Sequence, residues 1–247
     1  MTNKKILVAN WKTYIKDLTT VKNKIKDINA LLATTKKMII CPPFIYLQAL
    51  VDGIKNPDIA IGSQNISIAK SDASTGEILA SMQKDIGCSY TIIGHSEVRR
   101  NYRESHEIVA TRVKGALEHG ITPIICVGEE IETRNNVDHL KFLTNQLIGA
   151  LALIKDTNNI NNEIIVAYEP IWAIGTEQIP TVIQIKEVIS RLRRSVSEVT
   201  NCQFLYGGSV NEDNIEEINS IEMLDGVLVG SASTDINRLS TIRQSLD

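Results

Sequence analysis

Residues 163–169 have the sequence Glu-Ile-Ile-Val-Ala-Tyr-Glu, in which an unbroken apolar run over residues 164–168 lies between two carboxylates. Short runs of this kind, without polar alternation, are typical of parallel strands that are covered on both faces. The pattern predicts a strand over Glu163–Tyr168 with Glu169 at its carboxyl end. Similar runs occur at Ile6–Ala9, Lys37–Cys41, Ile59–Gly62, Tyr90–Ile93, Thr122–Val127, Gln203–Tyr206 and Gly226–Val229.

Most of the predicted strands are followed by an amphipathic helical pattern. After the first strand, apolar residues recur every three or four positions at Leu18, Val21, Ile25, Ile28 and Leu32, with lysines between them. This periodicity predicts a helix whose apolar stripe packs on the sheet.

Eight strand–helix units of this spacing predict an α/β fold in the form of a (β/α)8 barrel. A chain of 247 residues is long enough for one such barrel, and no linker or low-complexity tract divides it. We therefore expect a single domain over residues 1–247. The alternative is an open, doubly wound sheet, but no G-x-G-x-x-G follows the first strand.

The charge balance argues against polyanionic or lipid partners. With 26 Lys and Arg against 29 Asp and Glu, the formal net charge is −3, so we expect no nucleic-acid partner. The apolar stretches are shorter than the roughly 18 residues of a membrane helix, which predicts no membrane association. The run Ile6–Ala9 is too short for the core of a signal peptide, and we expect a cytoplasmic protein.

The four cysteines, Cys41, Cys88, Cys126 and Cys202, lie far apart and form no C-x-x-C pair. This distribution predicts buried, reduced thiols and no metal site.

The carboxyl ends of the strands are the expected location of an active site in a barrel. Polar residues follow several of them: Asn10 and Lys12 after the first strand, His95 and Glu97 after the fourth, and Glu169 after the sixth. A cation, an imidazole and carboxylates are therefore expected to converge. Each of them taken alone is more often an ordinary surface or structural residue.

Glycines follow the last two strands, in Tyr206-Gly207-Gly208-Ser209 and in Gly230-Ser231. Loops after strands seven and eight often bind phosphate in barrels, because backbone N–H groups can approach the anion closely. Glycines at both positions favour a phosphate site over two unrelated tight turns.

The segment Pro170–Thr176 after the sixth strand is apolar and contains Trp172. Such a loop can serve as a lid that excludes water from a site. The alternative is that Trp172 simply packs on a neighbouring helix.

Six motifs at the predicted strand ends together resemble those of the triosephosphate isomerase family along essentially the whole chain. They are Ala9-Asn10-Trp11-Lys12, Gly94-His95-Ser96-Glu97, Cys126-Val127-Gly128-Glu129, residues 167–176 (AYEPIWAIGT), residues 206–210 (YGGSV) and residues 225–230 (DGVLVG). The resemblance implies interconversion of dihydroxyacetone phosphate and D-glyceraldehyde 3-phosphate, in glycolysis and gluconeogenesis, with no metal or organic cofactor.

The resemblance also assigns catalytic roles. Glu169 corresponds to the base that moves a proton between adjacent carbons, and His95 to a neutral imidazole that holds the substrate oxygens. Lys12 corresponds to the cation that offsets the phosphate and enediolate charge, with Asn10 as a nearby hydrogen-bond donor. Glu97 is either a proton relay or the ion-pair partner of Lys12.

Phosphate binding is assigned by the resemblance to the backbone of Gly175, Ser209 and Gly230, with help from the Ser209 hydroxyl. Where the family usually has a second glycine, this chain has Ser231, whose N–H can still donate. Its Cβ is expected to restrict the backbone and to weaken phosphate binding slightly.

A homodimer is implied by Gln64-Asn65 and residues 73–77 (ASTGE), which resemble the interdigitating loop of the family. Thr75 is expected to approach the partner's active site.

Cys126 and Glu129 match positions that support the site and the lid, and we interpret Cys126 as a packing residue. Glu177 and Pro180 replace the usual lid hinge, so altered opening rates are expected.

Two other interpretations remain. One is a different phosphate-binding barrel enzyme, such as an epimerase or a decarboxylase, for which metal-binding His and Asp residues at successive strand ends would be expected. The other is a catalytically inactive barrel kept as a binding protein. Only His95 among the histidines follows a strand, and Lys12, His95 and Glu169 are all present, which favours the isomerase.

Overall fold

The computed structural model describes residues 5–31, 37–69, 73–154, 163–176, 178–197 and 202–246. Its strands form a closed barrel in which each strand pairs in parallel with the next and the eighth pairs with the first. This closure confirms the predicted (β/α)8 barrel and excludes the open sheet. The strands are β1 (Ile6–Asn10), β2 (Lys37–Cys41), β3 (Ile59–Ser63), β4 (Tyr90–Ile93), β5 (Thr122–Val127), β6 (Ile164–Tyr168), β7 (Cys202–Tyr206) and β8 (Gly226–Val229).

Helices follow the strands and surround the barrel. They are α1 (Leu18–Asn29), α2 (Leu47–Gly53), α3 (Ala80–Asp85), α4 (Ser96–Tyr102), α5 (His106–Glu118), α6 (Ile131–Asn136), α7 (His139–Ala150), α8 (Val182–Val196), α9 (Ile215–Asn219) and α10 (Ile236–Ser245). None of the described helices is long and apolar enough to cross a membrane.

The first helix begins where the periodicity predicts and ends earlier. Asp17 caps it by accepting a hydrogen bond from the Thr20 N–H, and the last helical residue is Asn29. Val21 and Ile28 are buried as expected, but Leu18 is 47% exposed, so the predicted stripe is too wide at its start. Leu32 lies outside the described residues.

Alternate residues of each strand enter two separate apolar layers. In β1, Ile6 and Val8 face the barrel interior, whereas Leu7 and Ala9 pack with the surrounding helices. This period of two is the geometry of a pleated strand, and the apolar character of both sets explains why the runs do not alternate. The four cysteines are free and buried, as predicted.

Candidate active site

The predicted site residues converge at the carboxyl ends of the strands. A cavity of about 320 Å³ opens there. Of the residues that the sequence singled out, it is lined by Lys12, His95, Glu169, Gly175, Ser209, Gly230 and Ser231. Asn10 does not line the cavity. It is buried, and its Oδ1 atom accepts a hydrogen bond from the Lys12 backbone N–H at 3.1 Å.

Glu169 and His95 form a close pair inside the cavity. The Glu169 Oε1 atom lies 3.1 Å from the His95 Nε2 atom, and both side chains are almost completely buried. The second carboxylate oxygen accepts a long hydrogen bond, of 3.4 Å, from the Ser96 N–H at the start of α4. Burial raises the pKa of Glu169, but the contacts with His95 and Ser96 outweigh it, so the pKa lies below the usual value.

The position of His95 before α4 determines its protonation. Burial lowers the pKa of His95, and the Glu169 carboxylate more than compensates, so the pKa is raised overall. The Nδ1 atom, however, accepts a hydrogen bond from the Glu97 N–H at 3.2 Å, because His95 caps the helix. A nitrogen that accepts this bond carries no proton. The ring in this geometry is therefore neutral and donates from Nε2 to Glu169.

Lys12 is held in the site by both its backbone and its side chain. Its φ of 45° is left-handed, and its carbonyl accepts a hydrogen bond from Gln64 Nε2 at 2.9 Å. Its Nζ atom lies 2.6 Å from Glu97 Oε1. Glu97 Oε2 is 3.8 Å from His95 Nδ1, which is too long for a hydrogen bond. The geometry matches the ion-pair role of Glu97 rather than the relay.

The loops after β6 and β7 contact each other through Ser209. Its hydroxyl donates to the Ala173 carbonyl at 2.7 Å and accepts from the Gly175 N–H at 3.2 Å. Gly175 has a φ of 70°, a left-handed backbone that favours glycine. Two of the groups expected to bind phosphate are thus paired with each other. An anion at this position would have to replace these bonds.

The loop after β8 meets the side chain of Lys12. A Cβ atom at Gly230 would lie 3.7 Å from Lys12 Cε, so this backbone passes directly beside the cation. Ser231 begins a short 3-10 helix over Ser231–Thr234 and is not among the described residues with positive φ. The expected restriction by its Cβ therefore imposes no backbone strain here.

The segment after β6 is anchored by Glu129. The Glu129 Oε1 atom accepts hydrogen bonds from Arg134 Nη1, Tyr168 OH and Trp172 Nε1, at 2.8, 3.0 and 3.1 Å respectively. The Arg134 guanidinium also lies over the Trp172 ring, 5.0 Å from its centroid. In this conformation Trp172 packs against a residue of α6, which is the simpler of the two interpretations of this loop.

The far end of the same segment reaches the cavity, which Ile174, Gly175 and Thr176 line. Glu177, the first residue of the unusual hinge, lies outside the described residues. Pro180 precedes Thr181, the N-cap of α8, whose side chain forms a capping box with Gln184. The hinge therefore ends at a well-capped helix.

Cys126 contributes no nucleophile. It is completely buried, and burial raises the pKa of its thiol well above the usual range, with a further increase from the nearby Glu169. A thiol with such a pKa stays protonated at neutral pH, in agreement with a packing role.

Neither Gln64 nor Arg238 was predicted from the sequence to act at the site. Gln64 supports the Lys12 loop by donating to the Lys12 and Cys41 carbonyls, at 2.9 and 3.0 Å. Arg238 lines the cavity from the first turn of α10. Among the described residues, no three or more His, Cys, Asp or Glu side chains cluster in a way that could hold a metal ion.

The closed (β/α)8 barrel holds a carboxylate–imidazole pair, a fixed cation and glycine-containing loops in one cavity. This combination defines an enzyme of the phosphate-handling barrel class. Comparison with known proteins gives the family. The family model for triosephosphate isomerase matches residues 5–246. The chain belongs to the triosephosphate isomerase family.

Relatives cover this chain almost completely. The chain is 38% identical to the triosephosphate isomerase of Wolbachia sp. subsp. Brugia malayi, over 98% of this chain and 97% of the relative. It is 38% identical to that of Dictyoglomus thermophilum, over 93% and 94% of the two chains. It is 33% identical to that of Magnetococcus marinus, over 98% of each.

Proposed function

We propose that this chain interconverts dihydroxyacetone phosphate and D-glyceraldehyde 3-phosphate, as expected from its family. The observation that carries the proposal is the placement of the Glu169 carboxylate 3.1 Å from the His95 Nε2 atom, in the same cavity as Lys12. These three groups supply a base, a hydrogen-bond donor and a cation, which an enediolate mechanism requires.

Glu169 removes a proton from the carbon next to the carbonyl and returns it to the neighbouring carbon. In the structure its pKa is kept low by His95 and by the Ser96 N–H, against the effect of burial. A substrate that takes these donors for its own oxygens leaves the carboxylate buried with fewer partners. Burial then raises its pKa, and the carboxylate becomes a stronger base when the substrate is in place.

His95 and Lys12 stabilise the charge that develops on the substrate oxygens. The His95 Nε2–H, now bonded to Glu169, is free to donate to those oxygens once the carboxylate moves to the carbon. The imidazole donates in its neutral form, because its Nδ1 atom accepts a hydrogen bond from the Glu97 N–H. Lys12 adds a fixed positive charge, held in place by Glu97.

The phosphate group is bound by the backbone of Gly175, Ser209, Gly230 and Ser231. These residues lie in the loops after β6, β7 and β8 and line the same cavity as His95. Binding there replaces the Gly175–Ser209 hydrogen bond and draws the segment Pro170–Thr176 over the substrate. The segment thereby acts as a lid that excludes water.

We further propose that the chain acts as a cytoplasmic homodimer, in glycolysis and gluconeogenesis, and that residues 1–247 form one catalytic domain without a cofactor. The exposed loop at residues 73–77, with Thr75, supports the dimer through its resemblance to the family's interdigitating loop.

The direct test is a coupled assay with D-glyceraldehyde 3-phosphate in the presence of a metal chelator. We expect rapid turnover, and we expect that added divalent metal neither raises nor lowers the rate. Unphosphorylated D-glyceraldehyde is the matched control and is expected to react far more slowly, because the phosphate loops then bind nothing. A folded protein that does not turn over the phosphorylated substrate would leave the inactive binding protein as the better interpretation.

A further inference from the structure

A second cation lines the cavity besides Lys12, and the mechanism above does not use it. Arg238 lies in the first turn of α10, where its backbone N–H donates to the Asp235 Oδ1 atom at 3.0 Å. Its side chain shares the cavity wall with Ser209, Gly230 and Ser231. It therefore lies at the end of the cavity where the phosphate is proposed to bind.

Glu212 orients the Arg238 guanidinium. The Arg238 Nε atom donates to Oε1 at 2.7 Å and to Oε2 at 2.9 Å. Glu212 follows Asn211, which itself lines the cavity after β7. The ion pair therefore connects the loop after β7 to the helix after β8, and it restricts where the guanidinium can point.

The ion pair uses only part of the guanidinium. Within the described ranges, neither Nη atom of Arg238 donates a hydrogen bond. The side chain is 42% exposed, so these groups are open to a ligand. Arginine keeps its charge at all physiological pH values, and its planar fork suits the oxygens of a phosphate.

We propose that Arg238 is a phosphate-binding residue of this enzyme, with Glu212 as the positioning residue that directs its Nη groups toward the anion. The inference rests on the proposed function, since it takes the substrate's phosphate as the anion. Arg238 acts on capture and retention of the substrate. It takes no part in the proton transfer, because Glu169 and His95 already supply the reacting groups.

The first test measures binding of inorganic phosphate to the purified full chain by phosphorus NMR titration at low salt. Arg238→Gln is expected to raise the Kd for phosphate roughly three- to tenfold, the effect of losing a charge-assisted contact at a partly exposed site. Arg191→Gln removes the same charge from an exposed position of α8 and is the matched control. It is expected to leave the Kd unchanged within about twofold.

The Glu212→Gln variant tests whether the Arg238–Glu212 ion pair is purely structural. This variant keeps an oxygen that can accept from the Arg238 Nε atom and removes a negative charge beside the anion. We expect phosphate to bind as tightly as in the wild type or more tightly. Equal losses in Glu212→Gln and Arg238→Gln would show that the pair only joins the two loops and would overturn the proposal.

Turnover provides the second readout. Arg238→Gln is expected to lower kcat/KM roughly three- to tenfold through KM, with kcat within about twofold of the wild type and a weaker dependence on salt. Arg238→Lys should recover part of the loss. A fall in kcat with unchanged phosphate binding would contradict the assignment. Because the phosphate titration needs no turnover, an inactive wild type would overturn the proposed function while the binding difference still tests Arg238.

Discussion

Glu169 combines nearly complete burial with hydrogen bonds from His95 and Ser96. In the proposed mechanism, this combination makes one carboxylate stable at rest and basic when substrate is bound. The two donors offset the cost of burying its charge in the structure described here. Both belong to the start of α4, so they are positioned together. A substrate oxygen that takes over the His95 donor removes this support at the moment when a base is required.

In the proposed mechanism, Lys12 supplies the fixed positive charge. Lys12→Gln removes the cation and leaves Glu97 unpaired beside a dianionic substrate. We expect kcat/KM to fall at least about 100-fold, the usual loss when a main electrostatic contact to the transition state is removed. Lys16→Gln, at an exposed position of the same loop, is the control in the coupled assay. Equal activity of the two variants would refute the role of Lys12.

The low pKa of Glu169 predicts a pH dependence of stability. Burial opposes the ionised form, but His95 and Ser96 favour it more, so the folded pKa lies below the unfolded value near 4.5. The resulting stabilisation is complete above about pH 4.5 and is lost as the pH falls through the folded pKa. In urea unfolding, the wild type should lose stability below that pH more steeply than Glu169→Gln. Parallel curves would contradict the assigned contacts.

The site could be predicted from the sequence where a residue comes within two positions of a strand's carboxyl end. Lys12, His95 and Glu169 all do, and the topology alone brings them together. Gln64 and Arg238 could not be placed in this way. Gln64 acts through the Lys12 carbonyl, and Arg238 follows β8 only after a 3-10 turn and the start of α10. Their positions depend on three-dimensional packing that no local pattern records.

At the scale of elements, β5, β6 and α6 are joined by one buried carboxylate. Glu129 follows β5 and accepts from Tyr168 at the end of β6, from Trp172 in the following segment and from Arg134 in α6. The same oxygen accepts all three bonds. The resting position of the lid segment therefore depends on a group that lies outside the cavity.

Removal of the Glu129 charge is expected to lower the stability of the fold. Glu129→Gln keeps an acceptor oxygen but leaves the Arg134 guanidinium, which is only 10% exposed, without its counter-charge. We expect the free energy of unfolding to fall by about 3 kcal/mol, as for other broken buried pairs. Urea titration followed by tryptophan fluorescence measures it. Glu130→Gln, the exposed neighbour, should change it by less than about 0.5 kcal/mol, and an equal effect of both variants would count against the account.

The strands were the most predictable elements. Lys37–Cys41, Tyr90–Ile93, Thr122–Val127 and Gly226–Val229 were predicted with their observed ends, because apolar runs buried on both faces have sharp borders. The others shift by one residue where a polar side chain lies at the border. β7 begins at Cys202 rather than Gln203, and β1 extends to Asn10. Leu18 was placed in the core although Asp17 and Thr20 keep the start of α1 at the surface.

At the scale of the whole molecule, the proposed dimer is testable through residues 73–77. Thr75 is exposed in the single chain, as expected for a residue that contacts a partner subunit. Sedimentation equilibrium should give twice the mass of one chain. Thr75→Arg places a long charged side chain in the proposed interface and should yield monomers with reduced activity. Thr241→Arg, on the exposed side of α10, is expected to leave the assembly intact. A monomeric wild type would refute the dimer.

If Glu169 moves a proton between adjacent carbons, isomerisation in D2O will show it. The wild type should convert D-glyceraldehyde 3-phosphate with deuterium entering the carbon-bound position that accepts the proton, because the protonated base exchanges with solvent. Glu169→Gln, with its fold confirmed by circular dichroism, should lose at least about a thousandfold in rate and incorporate no deuterium. A variant that still isomerises and labels the substrate at the wild-type rate would contradict the account.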